Sequence, residues 1–415
     1  MNQLAVIIPV YDQWELTQAC LLSLREQTRG DFFQVIVVDN GSSDATSTQC
    51  KPLLEALFPD RFLYLRQTEN LGFGVACTLG AEAADAIHLF FLNNDTELTH
   101  GWADPLFKAL AADPRLGAVS PLLIYPESRR VQHLGVCFDP NLHPMHLFEG
   151  FPWQHPAASK PRTLQAISAA ALFMPRYIFL DCGGFHSGYR NGSEDLDLCC
   201  QLARRGLRVG CEPRSVVLHH TSRTEGRFAN AGANAELLDQ RCRGCFTSDL
   251  HRYARKEGFK VRLTKWLEPF LVEAQPTNWD GQVEELPALL ERFPLFFEGY
   301  VPLITALEEN GIVGEAFVWA DLLAGFCPRM QHFARAARLA AKDSRHDRAQ
   351  HWLDRLVHVQ GMLGNEQRLV RRAWENRNWF RELGEDELCA LYQDWLDRRT
   401  LEQVAMPLWK REDEG

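Results

Sequence analysis

Over its first 92 residues the chain alternates short apolar runs with longer stretches of helical period. Residues 4–10, 34–38, 62–65 and 87–92 are hydrophobic or β-rich segments, the pattern of strands buried on both faces. Helical stretches lie between them, near 14–27, 44–57 and 74–84. This alternation predicts right-handed βαβ crossovers and a largely parallel sheet. Ligands of such sheets bind beyond the carboxyl ends of the strands. Those ends carry Pro9-Val10-Tyr11, Asp39-Asn40-Gly41-Ser42 and Asn93-Asn94-Asp95.

From 121 to 161 the pattern lacks a period and is crowded with Pro, His and aromatic residues, which predicts an irregular stretch, either a functional lid or a disordered segment. A buried segment follows at 165–174. A helix is expected at 194–205, closed by Gly206 as its C-cap. Two short strands, 208–211 and 215–218, lead to His219-His220. Beyond about 260 only helices are expected. Pro294 and Pro328 stand about 34 residues apart, and the segment Glu315 to Asp321 is echoed by Arg348 to Asp354. That spacing resembles the tetratricopeptide repeat. The expected organisation is an α/β domain over 1–225, a helical connector over 226–260 and an all-α helical-repeat domain over 261–415.

Charge and composition then narrow the function. With a net charge of −10, no surface for tracking nucleic-acid phosphates is expected. The 12 cysteines lack the regular spacing of a secreted disulfide framework, so reduced thiols in a cytoplasm are expected. The run at 4–10 has no basic flank and is interrupted by Pro9, so it reads as a strand and not a signal peptide. No apolar stretch approaches the roughly 20 residues of a membrane span. Peripheral contact with the inner face of a membrane, and a homodimer through the helical domain, are left open.

Carboxylates placed at the mouth of the sheet suit one metal and one proton acceptor, the equipment for moving a group from a diphosphate to a hydroxyl. Asp39, at a strand end, is suited to accept the N3–H of a pyrimidine, and Tyr11 to lie against the base. Asp44 or Ser43 is expected to cap the next helix. Gly72 and Gly74 open a helix whose amides favour phosphate. The stretch Gly72-Phe73-Gly74-Val75-Ala76-Cys77 fails the dinucleotide fingerprint, which argues against a nicotinamide dehydrogenase. Cys242 and Cys245 read as buried thiols, and His133, His143, His146 and His155 with Trp153 as the lining of an acceptor site.

Five segments fall in one order: Val6-Ile7-Ile8-Pro9-Val10-Tyr11, Val38-Asp39-Asn40-Gly41-Ser42-Ser43-Asp44, Asn70-Leu71-Gly72-Phe73-Gly74, Leu92-Asn93-Asn94-Asp95-Thr96 and Glu194-Asp195-Leu196-Asp197-Leu198. Together they resemble glycosyltransferase family 2, in particular its rhamnosyltransferase-like and O-antigen branch, over about residues 1–225. The resemblance implies a GT-A fold, a UDP- or dTDP-linked sugar donor, Mn²⁺ or Mg²⁺, and inversion at the anomeric carbon. Its Asp-x-Asp element falls on Asn93-Asn94-Asp95, which makes Asp95 the carboxylate ligand and leaves Asn93 to the ribose or to weak metal contact. His219 or His220 would complete the metal shell. Asp195 is implied as the catalytic base and Glu194 as a residue that orients the acceptor, with Asp197 a helix-start charge. Pro9, Tyr11, Asp39, Asn70, Gly72 and Asn93 are the implied nucleotide contacts. The acceptor would be a surface or lipid-linked glycan, or a protein or peptide gripped by the helical domain. The competing reading is a non-catalytic nucleotide-sugar binder or helical scaffold, which Asn93 favours.

Overall fold

The apolar runs form strands and the periodic stretches form helices in the computed structural model, which describes residues 2–30, 32–220, 230–273, 279 and 281–405. By contact the chain divides into two units, residues 1–138 with 142–247, and residues 139–141 with 248–415. The expected connector, 226–260, straddles that division, and its residues 226–229 lie outside the described residues.

The first unit begins with β1 (Asn2–Val10), α1 (Trp14–Gln27), β2 (Phe33–Asp39), α2 (Thr46–Leu57), β3 (Phe62–Arg66), α3 (Phe73–Ala83) and β4 (Ala86–Leu92). β1 pairs in parallel with β2 and β4, and β2 with β3. Flanked on both edges, β1 is buried from Leu4 to Val10, so its sequence shows no polar alternation. Gly80 lets α3 approach β1 closely: a Cβ there would stand 2.5 Å from Ile7 Cγ2.

The rest of the unit makes the sheet mixed. It adds β5 (Thr96–Leu98), α4 (Ala103–Ala112), β6 (Leu116–Ile124), β7 (Val131–His133), β8 (Val136–Phe138), β9 (Pro144–His146) and β10 (Arg162–Leu164). Then come β11 (Ala171–Pro175), α5 (Arg176–Asp181), α6 (Glu194–Arg204), β12 (Arg208–His219) and α7 (Ala231–Cys242). The strand order is β10-β12-β6-β11-β4-β1-β2-β3. β11 lies antiparallel to β4 and β6, and β12 parallel to β6. This is the GT-A-type mixed sheet that the resemblance implied. Phe90 of β4 stacks on Trp102 at 4.7 Å and packs against Phe173 of β11. Each such buried aromatic contributes about 1.5–3 kcal/mol, and together they fix the strand that leads into the Asn93-Asn94-Asp95 turn.

Two sequence expectations change here. The segment 121–161 is not irregular throughout: β6 runs into it as far as Ile124, β7 pairs with β6, and Val131, Gln132 and His133 are all buried. Buried backbone needs partners, and the edge of β6 supplies them. The strands expected at 208–211 and 215–218 are one strand, β12, with irregular pairing between Glu212 and Val216.

The second unit contains α8 (Leu250–Lys256), a hairpin of β13 (Lys260–Leu263) and β14 (Pro269–Val272), and a helical series. That series is α9 (Leu286–Arg292), α10 (Phe297–Glu309), α11 (Val313–Phe326), α12 (Met330–Lys342), α13 (His346–Leu363), α14 (Glu366–Glu382) and α15 (Asp386–Ala405). The hairpin departs from the helices-only expectation; from α9 onward the named elements are helices. Trp319 and Trp352 of the two echoed segments are both buried. Trp352 stacks on Phe333 at 5.3 Å and donates its indole N–H to Asp321 at 2.7 Å. Among the described residues no helix is long and apolar enough to cross a membrane.

Candidate active site

Loops at the carboxyl ends of β1, β2 and β3 are laced together by their own polar groups. Asp12 accepts the Ser43 amide at 2.7 Å, and its own amide donates to Ser42 Oγ at 2.9 Å. Asp44 accepts the Trp14 and Thr46 amides, each at 3.0 Å, and so serves the starts of both α1 and α2. Asn40 reaches the third loop, donating to Asn70 Oδ1 at 2.9 Å and accepting the Leu71 amide at 3.0 Å. Asn70 Oδ1 also accepts the Gly72 amide at 2.9 Å. Gly41, at φ +85°, passes so near the Glu69 backbone that a Cβ would stand 3.0 Å from it; a side chain is excluded on both counts.

Among the expected nucleotide contacts, Tyr11 is 42% exposed, Pro9 is buried inside β1, and Gly72 precedes α3 with φ +88°. Asp39 has no exposed side-chain surface. It accepts the Ser42 amide at 2.8 Å, the Tyr64 hydroxyl at 2.6 Å and the Arg66 guanidinium at 2.5 Å. A carboxylate offers about four lone-pair positions, so the protein occupies most of this one.

The corner after β4 differs. Asn94 turns back to Thr17 of α1, its Nδ2 donating to Oγ1 at 2.9 Å. Asp95 is 1% exposed and His219, ending β12, is 6% exposed. His219 Nε2 lies 3.2 Å from Asp95 Oδ1. The antiparallel register, His219 opposite Thr96, brings them together. His220 instead meets Glu97, with Nε2 2.6 Å from Oε1. His219 Nδ1 faces Gln132 Oε1 at 2.5 Å. Its Nε2, like Asn93 Oδ1, is buried and makes no hydrogen bond among the described residues. His219 Nε2 and the Asp95 carboxylate are nitrogen and oxygen donors of the kind that Mn²⁺ or Mg²⁺ accepts. Among the described residues no three His, Cys, Asp or Glu side chains form a metal cage. A cation here would therefore draw its other ligands from diphosphate and water.

Asp195, in the first turn of α6, accepts the Leu196 amide at 2.9 Å and the Ala169 amide at 3.3 Å. Burial raises its pKa above the ordinary aspartate value, while the two amides and the nearby His146 draw it back. The neighbours of Ala169 tie this carboxylate to the rest of the corner. The Ser168 amide donates to His133 Nε2 at 3.1 Å, and the Ala170 carbonyl accepts the Asn93 amide at 2.9 Å. His133 Nδ1 in turn lies 2.9 Å from His146 Nδ1. Burial first, then His146 and His219, holds the His133 pKa well below the ordinary histidine value. Asp95, His219, Gln132-His133, Ser168-Ala169-Ala170 and Asp195 thus form one continuous set of contacts.

Glu194 turns inward, 5% exposed, and accepts the Gly192 amide at 2.6 Å. Asp197 makes two bonds to Arg241, at 2.9 and 3.0 Å, and accepts the Cys242 thiol at 3.3 Å. It braces α6 against α7. Sequence reasoning missed Gln132, because a single glutamine in a three-residue strand carries no spacing signature.

Residues 5–174 match the family described as Glycosyl transferase family 2. The chain is 31% identical over 231 residues to the O-antigen biosynthesis protein RfbC of Myxococcus xanthus, across 53% of this chain and 17% of that one. It is 29% identical over 217 residues to an N-acetylglucosaminyl-diphospho-decaprenol L-rhamnosyltransferase of Mycobacterium tuberculosis, across 46% of this chain and 68% of that one. A crystal structure of GalNAc-T7 with UDP, GalNAc and Mn²⁺ aligns with 52% of this chain and 43% of its own, at 17% identity and a TM-score of 0.45. Of RfbC, then, the chain spans much less than two thirds. It is the first unit of this protein that carries the match to that family.

Proposed function

We propose that the protein is an inverting glycosyltransferase that moves a sugar from a UDP- or dTDP-linked donor to an acceptor hydroxyl. The observation that supports this most is the continuity of contacts from Asp95 and His219 through Ser168-Ala169-Ala170 to Asp195. A cation-binding pair and a base thereby share one corner at the ends of the parallel strands.

In this reading Asp95 and His219 hold a divalent cation, with Asn93 Oδ1 beside them. When bound, the cation neutralises charge on the leaving diphosphate. Tyr11 lies against the base, the loop of Asn70 and Gly72 approaches the phosphates, and Asp39 meets the base once Arg66 moves. Asp195 removes the proton from the acceptor hydroxyl as that oxygen attacks the anomeric carbon from the face opposite the diphosphate. Its raised pKa suits the task, because a general base works best with a pKa near the operating pH. Glu194 supports the loop that presents Asp195, and His133 and His146 line the acceptor side. The relatives' names speak of O-antigen biosynthesis and of rhamnosyl transfer, so the acceptor class that we propose is a glycan. The helices from α10 onward, built at close to the tetratricopeptide period of about 34 residues, select that acceptor.

A panel of UDP- and dTDP-sugars, scored by thermal shift with and without Mn²⁺, tests this. A true donor at 100 times its dissociation constant stabilises by about 2.7 kcal/mol, and slow release of the nucleotide diphosphate should follow. Binding with no hydrolysis would favour the non-catalytic binder instead. No stabilisation by any donor would reject the reading.

A further inference from the structure

We propose that Gln132 is the positioning residue that keeps His219 in the one tautomer able to ligate a cation beside Asp95; this rests on the metal reading above. The amide of Gln132 is pinned at both ends. Its Nε2 donates to the His219 carbonyl at 3.1 Å, which leaves Oε1 facing His219 Nδ1 at 2.5 Å. Oε1 can only accept, so Nδ1 must carry the proton. A neutral imidazole has one N–H, so Nε2 is left with its lone pair. That lone pair lies 3.2 Å from Asp95 Oδ1.

The other tautomer would put a proton on Nε2, and the histidine would then donate to Asp95. The corner would be closed by an ordinary hydrogen bond. Gln132 opposes that closure, and does so from a buried position: Gln132 is 5% exposed, His219 6% and Asp95 1%. Few rotamers are open to it there, since β7 is paired onto β6, with His133 opposite Leu123. A partner on the far nitrogen of a metal-bound histidine fixes the ring and is worth about 10–100-fold in metal affinity.

Mn²⁺ alone is the probe. Electron paramagnetic resonance of free Mn²⁺, titrated with the full-length protein, gives its affinity without donor or turnover. Gln132→Leu should weaken binding by about 10–100-fold. Gln132→Glu still accepts from Nδ1 but loses the donor to the His219 carbonyl, so it should bind Mn²⁺ more tightly than Gln132→Leu. His219→Ala should lose at least as much as Gln132→Leu. Long-range ¹⁵N–¹H spectra of the metal-free wild type should show the His219 proton on Nδ1. This measurement stands even if Gln132→Leu fails to fold. Wild-type affinity in Gln132→Leu alongside loss in His219→Ala would overturn the role of Gln132 and leave the metal reading intact. So would a proton found on Nε2. Equal affinity in wild type and His219→Ala would reject the metal reading itself.

Discussion

The loops after β1, β2 and β3 and the corner after β4 sit at the ends of neighbouring parallel strands, yet they treat their polar atoms in opposite ways. In the loops, Asp12, Asp39, Asn40, Asp44 and Asn70 are all engaged with protein partners. At the corner, Asn93 Oδ1 and His219 Nε2 are buried without a hydrogen bond among the described residues. A buried polar atom left unpaired costs about 1–3 kcal/mol. In the function proposed above, the laced loops supply rigidity and the corner supplies the chemistry.

The comparison can be broken most sharply at Asp195. Replacing it with Asn should lower nucleotide release from the donor by about 10³-fold, within the range expected for loss of a general base. Calorimetric affinity for the nucleotide should be unchanged; near-normal turnover would remove Asp195 from the mechanism. The corner itself is probed next. Mn²⁺ near 100 times its dissociation constant should raise wild-type stability by about 2.7 kcal/mol. Asp95→Asn and His219→Ala should lose most of that gain. In metal-free buffer Asp95→Asn should melt no lower than wild type. A large loss of metal-free stability would mean that the corner is structural after all.

The laced loops should respond the other way. Asp39→Ala leaves the Ser42 amide and the Tyr64 hydroxyl without their acceptor, at a cost of about 2 kcal/mol in denaturant unfolding, with or without metal. An effect that appears only with nucleotide bound would mean that Asp39 serves recognition without bracing the loops. The smallest expected effect concerns pH. Asp195 acts only when ionised, and burial raises its pKa, so the acid limb of turnover should lie above that of an ordinary aspartate. His146 pulls in the opposite sense. His146→Gln should therefore move the limb further up, by less than about one pH unit. A downward movement would contradict the sign.

Much of this was legible in the chain. The apolar runs gave β1 to β4 within a residue or two, because strands buried on both faces need continuous hydrophobics. The ordered motifs singled out Asp95 and Asp195, and left His219 and His220 as alternatives. Segment 121–161 was not legible: its strands are only three residues long, too short for a period to emerge. β7 is held by pairing with β6, and β8 and β9 by pairing with each other, not by local preference. The burial of Asp39 was hidden for a similar reason, since Tyr64 and Arg66 come from the next strand over.

By itself the sequence determined the alternation of strand and helix, the position of acidic turns at strand ends, and the change to helices in the second half. Those features follow from local periodicity, which a single chain displays directly. Only the tertiary structure decided which of two adjacent histidines joins Asp95. Side chains alternate faces along a strand, but irregular pairing between Glu212 and Val216 resets that alternation within β12. The choice of His219 then rests on its register opposite Thr96, and its fixed orientation on Gln132, 87 residues away along the chain.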